Sequence, residues 1–242
     1  MLAFRLLRHS VLQLAGNLRA ALILSVLPTA AVVVAGTLWY TVMRAMRGAD
    51  GTTALAIAAH LAMAVVLVMA FVSLAVSWHR FVLLEEGPRL LRPVGPSERR
   101  YLGASLRLAL IGVLIAIPAL FIGAALITAL SHDVWGRMIV NLIFGFAFTV
   151  IGLRLGTGLA GAATGAPRPL TTGWRATRGR LGTLVLLAVF GQLMQGAFSL
   201  SALLPGLVGV VASIVVAWFG TMLSLSQITT LWGHFVEGRP LR

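Results

Sequence analysis

The sequence of 242 residues contains no cysteine and no lysine, and only six of its residues are acidic. Without cysteine the chain can form no disulfide, no thiolate metal site and no cysteine nucleophile. Charged residues make up 10% of the chain, whereas a soluble globular domain carries about 25%. This is too little charge to cover the surface of a soluble globule, so the composition predicts a membrane protein.

Long apolar runs are abundant instead, since 59% of the residues are hydrophobic and the mean hydropathy is +0.98. A helix needs roughly 20 apolar residues to cross a bilayer. Six runs reach this length, at residues 20–43, 54–77, 108–130, 138–161, 181–203 and 207–231. Helices satisfy their own backbone polar groups in lipid. The sequence therefore predicts an all-α, polytopic bundle of six transmembrane helices, with residues 1–242 forming a single transmembrane domain.

The arginines predict how this bundle is oriented. If the amino terminus is cytoplasmic, Arg44, Arg47 and Arg137 fall on the outer side, and the remaining sixteen of the nineteen arginines fall on the inner side. Cytoplasmic loops carry such an excess of basic residues in most multi-pass proteins. We therefore expect both termini to face the cytoplasm, with most of the chain's formal charge of +13 on that face.

The first eighteen residues precede the first apolar run and have a different pattern. Phe4, Leu7, Val11, Leu14 and Leu18 recur at helical spacing, with polar side chains between them. A helix with one apolar face and one basic face is typical of a segment that lies in the membrane interface. We expect an amino-terminal amphipathic helix resting in the headgroup plane.

Two further basic segments precede the third and the fifth spans. The first of these is expected to begin a helix with Ser97 as its N-cap. The chain can then be interpreted as three copies of one unit, in which a basic interfacial segment is followed by a helical hairpin. The predicted repeat boundaries are about 1–87, 88–166 and 167–242.

The second span ends in the sequence SWHRFVLLEEGP. We expect Trp78 to lie at the headgroup level, and His79 and Arg80 to reach water along the side of the helix. Gly87 is the predicted left-handed residue after the helix, because Pro88 prevents its continuation.

Carboxylates at the carboxyl end of a helix oppose its dipole, so Glu85 and Glu86 should need arginine partners. Arg89 and Arg92 are the nearest candidates, and Arg154 is a more specific one. Arg154 lies inside the fourth span, roughly 9 Å from its middle. It either reaches the cytoplasmic headgroups or faces a cavity, where it meets a lipid phosphate or one of the two glutamates. The predicted lipid or ion-pair cluster consists of Arg154, Glu85, Glu86, Arg80 and His79.

Polar residues also follow one face of each of the last two spans. They are Gln192, Gln195 and Ser199 on the fifth, and Ser224, Gln227 and Thr230 on the sixth. Such side chains usually hydrogen-bond helices to one another, at about 1 kcal/mol per contact. We therefore predict a narrow polar seam between these helices, with Gln192, Gln195 and Gln227 as its amide members.

The segment GTGLAG at residues 156–161 matches the dinucleotide fingerprint G-x-G-x-x-G. That fingerprint requires a preceding strand, whereas this segment lies within a predicted membrane helix, so we expect no nucleotide site. Glycines at four-residue spacing instead predict close helix packing, through Gly152 with Gly156 and Gly161 with Gly165.

Two stretches carry a resemblance to a known group of proteins. The first spans residues 150–187, with Arg154, the linker PRPL and the segment GWRATRGR, and the second is the closing WGHFVEGRPL. They resemble uncharacterised bacterial six-helix integral membrane proteins, which are similar in turn to the membrane domain fused to some glycerophosphodiester phosphodiesterases. This sequence departs from them where Leu159 to Gly161 replace an expected proline. The resemblance implies a helical membrane domain, and no catalysis can be carried over from it, since the fused phosphodiesterase domain is absent. We expect the protein to lie in the bacterial inner membrane.

The sequence favours a non-enzymatic protein that binds anionic lipid, or a protein partner or second copy, at its basic cytoplasmic face. A small transporter and a lipid-modifying enzyme are the alternatives. A transporter should carry ionisable residues at mid-span, and an enzyme should carry a nucleophile and base or a ligand cluster. Within the spans, transport is supported only by His60 and the glutamine seam, and the sequence offers no nucleophile and base or ligand cluster, so we expect no catalytic residue, cofactor or metal. We expect no nucleic-acid binding, because the arginines adjoin spans.

Overall fold

The computed structural model describes residues 1–46, 53–90, 92–130, 133–201 and 203–241; Arg47 and Arg242 of the orientation argument lie outside them. This part of the chain forms eight helices and no strand. The helices are α1 (Leu2–Ala15), α2 (Leu18–Ala45), α3 (Thr53–Leu83), α4 (Pro96–Ala129), α5 (Val134–Thr164), α6 (Pro169–Ala176), α7 (Leu181–Ser201) and α8 (Gly206–Phe235). All but α1 and α6 are long and apolar enough to cross a membrane, which confirms the predicted six-helix class. The threefold repeat stays a prediction.

Several helices extend beyond the apolar runs. Helix α4 begins at Pro96, well before its apolar run, and the Glu98 carboxylate accepts a 2.7 Å hydrogen bond from the Gly95 backbone N–H. Gly95 is therefore the N-cap, and Ser97, the predicted cap, lies within the first turn. Proline at the first helical position favours this start, because its fixed φ suits a helix and it has no N–H to satisfy.

Helix α3 ends at Leu83, and the chain reverses at Glu85, whose φ is +56°. Gly87, the predicted left-handed residue, lies beyond this reversal. A side chain in the left-handed region costs roughly 1 kcal/mol. The reversal returns Glu86 to the last turn of α3, where its backbone N–H is 3.5 Å from the Arg80 carbonyl oxygen.

The six long helices pack most tightly at one end of the bundle. The buried part of α5 is concentrated between Leu155 and Ala163, and that of α8 between Met222 and Gly233. Trp78 of α3 and Tyr101 of α4 are fully buried in the same core. The opposite halves of these helices expose most of their apolar side chains, as a lipid-facing surface does. We call the packed half the arginine-rich end, because Arg80, Arg92 and Arg239 lie there and hydrogen-bond its segments to one another.

Helix α1 packs on the arginine-rich end, against α8, α7 and α2. Its buried residues are Ala3, Leu6, Ser10 and Leu14. The Ser10 hydroxyl lies 3.1 Å from the Thr230 hydroxyl of α8. The buried face differs from the predicted one, since Phe4 and Leu18 are exposed. Of the predicted apolar stripe only Leu14 is fully buried, and the bundle covers the neighbouring face that carries Ala3, Leu6 and Ser10.

Both termini lie at the same end of the bundle. Helix α1 contacts the last turns of α8, and Arg239, beyond α8, donates a 2.6 Å hydrogen bond to the Leu83 carbonyl oxygen at the end of α3. The amino- and carboxyl-terminal segments therefore both belong to the arginine-rich end, as an even number of spans requires.

Candidate functional site

A chain of alternating arginines and glutamates connects α3 to α4 at the arginine-rich end. Arg80 binds both carboxylate oxygens of Glu86, with Nε 3.0 Å from Oε2. Arg92 donates to Glu86 at 2.9 Å and to Glu98 at 2.8 Å. Arg92 is one of the two partners that the sequence suggested for the glutamates, whereas its link to Glu98 came only from the structure. The chain fixes the loop between the two helices.

Arg80 also holds a third helix in this network. Its Nη1 donates to the Ser97 hydroxyl at 3.1 Å and to the carbonyl oxygen of Ala163, near the end of α5, at 3.2 Å. Its side chain is 19% exposed, so it does not reach freely into water as expected. Arg80 therefore joins the ends of α3, α4 and α5.

The two arginines hold Glu86 in its charged form. The pKa of Glu86 is lowered from 4.5 to about 2, chiefly by hydrogen bonds from Arg80; burial opposes this shift, and the hydrogen bond from Arg92 and the charges of both arginines lower the pKa further. A carboxylate stabilised in this way favours the folded state above its unfolded pKa and loses that contribution as the pH falls through the folded value.

We therefore expect the protein to lose thermal stability as the pH falls from about 4.5 to about 2. The contribution of Glu86 is modest, because its side chain is 35% exposed. The measurement is the unfolding temperature of the detergent-solubilised protein across this pH range. Glu86→Gln is the matched control: its profile should be flatter, and parallel profiles would contradict the assignment.

His79 and Trp78 differ from the sequence prediction, because both are fully buried. The His79 Nδ1 atom is 2.8 Å from the Thr229 hydroxyl oxygen of α8. Since Thr229 donates its hydrogen to the Leu225 carbonyl at 2.6 Å, its oxygen accepts from His79. These side chains face neighbouring helices rather than the headgroups, so His79 belongs to the core and not to an exposed binding cluster.

Arg154 lies apart from the glutamates. Its guanidinium carbon stacks 3.7 Å from the centroid of the Trp174 ring in α6. Its Nη2 lies 3.4 Å from the Trp174 carbonyl oxygen, and its Nε lies 3.5 Å from the Thr177 hydroxyl. Within the described ranges no carboxylate lies within 4.0 Å of it. The suggested pairing of Arg154 with Glu85 or Glu86 is therefore not formed, since Arg80 and Arg92 occupy Glu86.

Glycines place Trp174 beside Arg154 by bringing α6 against α5. A Cβ atom on Gly158 would lie 2.5 Å from the Pro169 carbonyl oxygen, and one on Gly173 would lie 2.6 Å from the Gly158 nitrogen. Gly161, three residues further along α5, lies under the Trp232 ring of α8. Two glycines of the nucleotide-like GTGLAG segment thus serve helix packing. Gly152, which the sequence paired with Gly156 for close packing, faces open space: a Cβ atom on it would have no neighbour within 4 Å.

The predicted amide seam is divided between two places. Gln192 donates a 2.9 Å hydrogen bond to Thr149 of α5, whereas Gln195 and Gln227 line a cavity between α7, α8 and α3. Ser199 and Ser224 donate to carbonyl oxygens of their own helices. These polar residues therefore do not tie α7 to α8 through side-chain hydrogen bonds.

The carboxyl-terminal segment contributes residues that the sequence reasoning missed. Arg239 donates to Glu237 at 2.7 Å, and Glu237 accepts a second 2.7 Å bond from the Trp232 indole of α8. Glu85 and Arg239 line a cavity of about 890 Å³ beside α1, α3 and α8. The available signal was the closing WGHFVEGRPL, in which glutamate and arginine are separated by one residue. The described residues bring no three potential metal ligands together.

Comparisons with protein-family models, curated proteins and solved structures gave no match. The resemblance of residues 150–187 to bacterial six-helix membrane proteins therefore stays a prediction.

Proposed function

We propose that the chain is a non-enzymatic protein of the bacterial inner membrane that binds the phosphate groups of anionic lipids. The binding face is the arginine-rich end, with both termini in the cytoplasm. The observation that carries the proposal is the Arg154 guanidinium, which stacks on Trp174 at 3.7 Å and lacks a carboxylate partner among the described residues.

The charge balance of this end supports anion binding. Glu86, Glu98 and Glu237 each pair with an arginine, and those partners are Arg80, Arg92 and Arg239. Most of the nineteen basic residues therefore have no acidic side chain to neutralise them, because the chain holds only six. Juxtamembrane arginines contribute about 1 kcal/mol each against an anionic leaflet.

The stacked geometry of Arg154 suits a phosphate in particular. Stacking uses the face of the guanidinium plane and leaves N–H groups at its edge, which can bind two phosphate oxygens. Trp174 is 38% exposed, and its indole is amphipathic, as side chains at the headgroup level are. Arg175 and Arg178 are exposed close to it and add positive charge.

Arg154→Ala should reduce the retention of anionic phospholipid by about tenfold, since it removes a charge-assisted contact worth roughly 1.5 kcal/mol. The measurement is native mass spectrometry of protein released from nanodiscs that contain phosphatidylglycerol and phosphatidylcholine. Arg137→Ala is the matched control, because Arg137 is an exposed arginine at the opposite end of the same helix. It should leave retention unchanged.

An equal effect of the two substitutions would contradict the proposal, because it would show that only total charge matters. Retention of a protein partner without lipid would favour assembly as the function of the basic face. In both cases the stacking of Arg154 on Trp174 would be a structural contact.

A further inference from the structure

A cavity of about 400 Å³ lies between α7, α8 and α3, within the spans. Gln195, Gln227 and Ser224 contribute polar groups to it, and Phe190 and Phe198 contribute aromatic walls. None of the described residues that line it carries a charge. The cavity is therefore a neutral site with a few hydrogen-bonding groups in an otherwise apolar surface.

Gln227 is the most deeply buried of the polar residues that line the cavity. Its residue is only 7% exposed, and its amide makes no side-chain hydrogen bond within the described part of the chain. An unpaired amide at membrane depth costs several kcal/mol. Gln195, at the edge of the same cavity, also makes no side-chain hydrogen bond to the described residues. Gln192 differs from both, since Thr149 accepts its hydrogen bond at 2.9 Å.

We propose that this cavity binds a neutral amphiphile whose polar end carries carbonyl or hydroxyl oxygens. The Gln227 and Gln195 amides donate hydrogen bonds to those oxygens, while the aromatic walls cover the apolar body. A charged headgroup is disfavoured, because no lining residue can neutralise it. Water alone does not suit a space of about 400 Å³ whose lining is mostly apolar, since each buried water needs two or more polar partners and the few polar groups can hold only a small number of waters.

The position of the cavity lets such a ligand enter from the membrane. Gln195, Ser224 and Phe198 line it and are exposed on the outer surface of the bundle. Its opening therefore lies between α7 and α8, where lipid surrounds the protein. A ligand can enter sideways without passing through water, and the site is separate from Arg154.

Gly220 offers a way to fill the site without disturbing its walls. It lines the cavity, and a Cβ atom on it would have no neighbour within 4 Å. Gly196 of α7 is equally open at its Cβ position and does not line the cavity. Gly220→Val and Gly196→Val therefore form a matched pair, of which only the first occupies ligand space.

The test is native mass spectrometry of the intact chain from nanodiscs loaded separately with diacylglycerol and with a short-chain prenylquinone. Wild-type protein should retain one of the two probes, the first indicating a hydroxyl-bearing lipid and the second a quinone ring. Gln227→Leu and Gly220→Val should each reduce retention about tenfold, as expected for a lost hydrogen bond or lost space. Gly196→Val and Arg154→Ala should retain the probe as the wild type does.

Retention of neither probe by the wild type would overturn the proposal and leave the cavity to lipid tails or water. Equal retention by Gln227→Leu, Gly220→Val and the wild type would also overturn it, because binding would then lie elsewhere. Loss of the probe in Arg154→Ala would overturn the separation of the two sites. Each variant's unfolding temperature is measured in parallel, so that a folding defect is recognised.

Discussion

Replacing Gly158 with alanine is expected to displace α6 from α5 and to destabilise the protein by about 3 kcal/mol. The added Cβ would lie 2.5 Å from the Pro169 carbonyl oxygen and 2.6 Å from the Leu170 Cα. Both are backbone atoms, which cannot rotate away as the end of a side chain can. The two segments must therefore separate, and Trp174 must move away from Arg154 with them.

Gly152→Ala is the matched control for this substitution. It lies in the same helix, and its Cβ would have no neighbour within 4 Å. Alanine there should leave the protein unchanged or stabilise it by about 0.5 kcal/mol, because glycine weakens a helix interior. The measurement is the unfolding temperature in detergent together with phosphatidylglycerol retention. Equal unfolding temperatures for the two variants would show that α6 can shift without cost.

Arg80→Ala is expected to destabilise the protein by about 3 kcal/mol, because Arg80 is a largely buried ion-pair partner. It leaves Glu86 with Arg92 alone and removes the donor that the Ser97 hydroxyl and the Ala163 carbonyl oxygen share. The loss acts on three helix ends at once, since these groups belong to the ends of α3, α4 and α5. The measurement is again the unfolding temperature in detergent at neutral pH.

Arg99→Ala controls for the loss of one positive charge at the same end, because Arg99 is exposed. It should lower stability by less than about 0.5 kcal/mol. Arg80→Lys separates charge from geometry, since lysine cannot reproduce a bidentate contact with Glu86. Full stability in the lysine variant would show that charge alone holds the network together.

The existence of the spans could be predicted because a bilayer imposes both length and apolarity on any helix that crosses it. The ends of the helices could not be predicted in the same way, because helices such as α4 extend beyond the apolar run, and hydropathy does not identify their polar turns as helical. The burial of Trp78 and His79 was also missed. Helix α3 is apolar on all sides, so its sequence contains no stripe that distinguishes a face toward α8 from a face toward lipid.

The sequence predicted that arginines and glutamates would meet at this site, but it did not predict correctly which arginine pairs with which glutamate. The glutamates' need for arginine partners follows from their place at a helix end, and Arg92 was among the expected partners. The choice of Arg80 over Arg154 depends on the reversal at Glu85, where a side chain adopts a positive φ that a glycine two residues later would adopt more easily. The close approach of Gly158 to Gly173 could not be predicted from a periodic pattern in the sequence, because the two glycines lie in different helices, α5 and α6, on either side of a turn.

The concentration of packing at the arginine-rich end gives the two halves of the bundle different mechanical roles. Helices held together at one end can change their tilt at the other with few contacts to break. Tilting is the usual response of a spanning helix to a thicker or thinner bilayer, at fractions of a kcal/mol per Å of mismatch. We therefore expect changes in membrane thickness to be absorbed in the loosely packed half, while Arg80, Glu86 and the stacked Arg154 keep their relative positions.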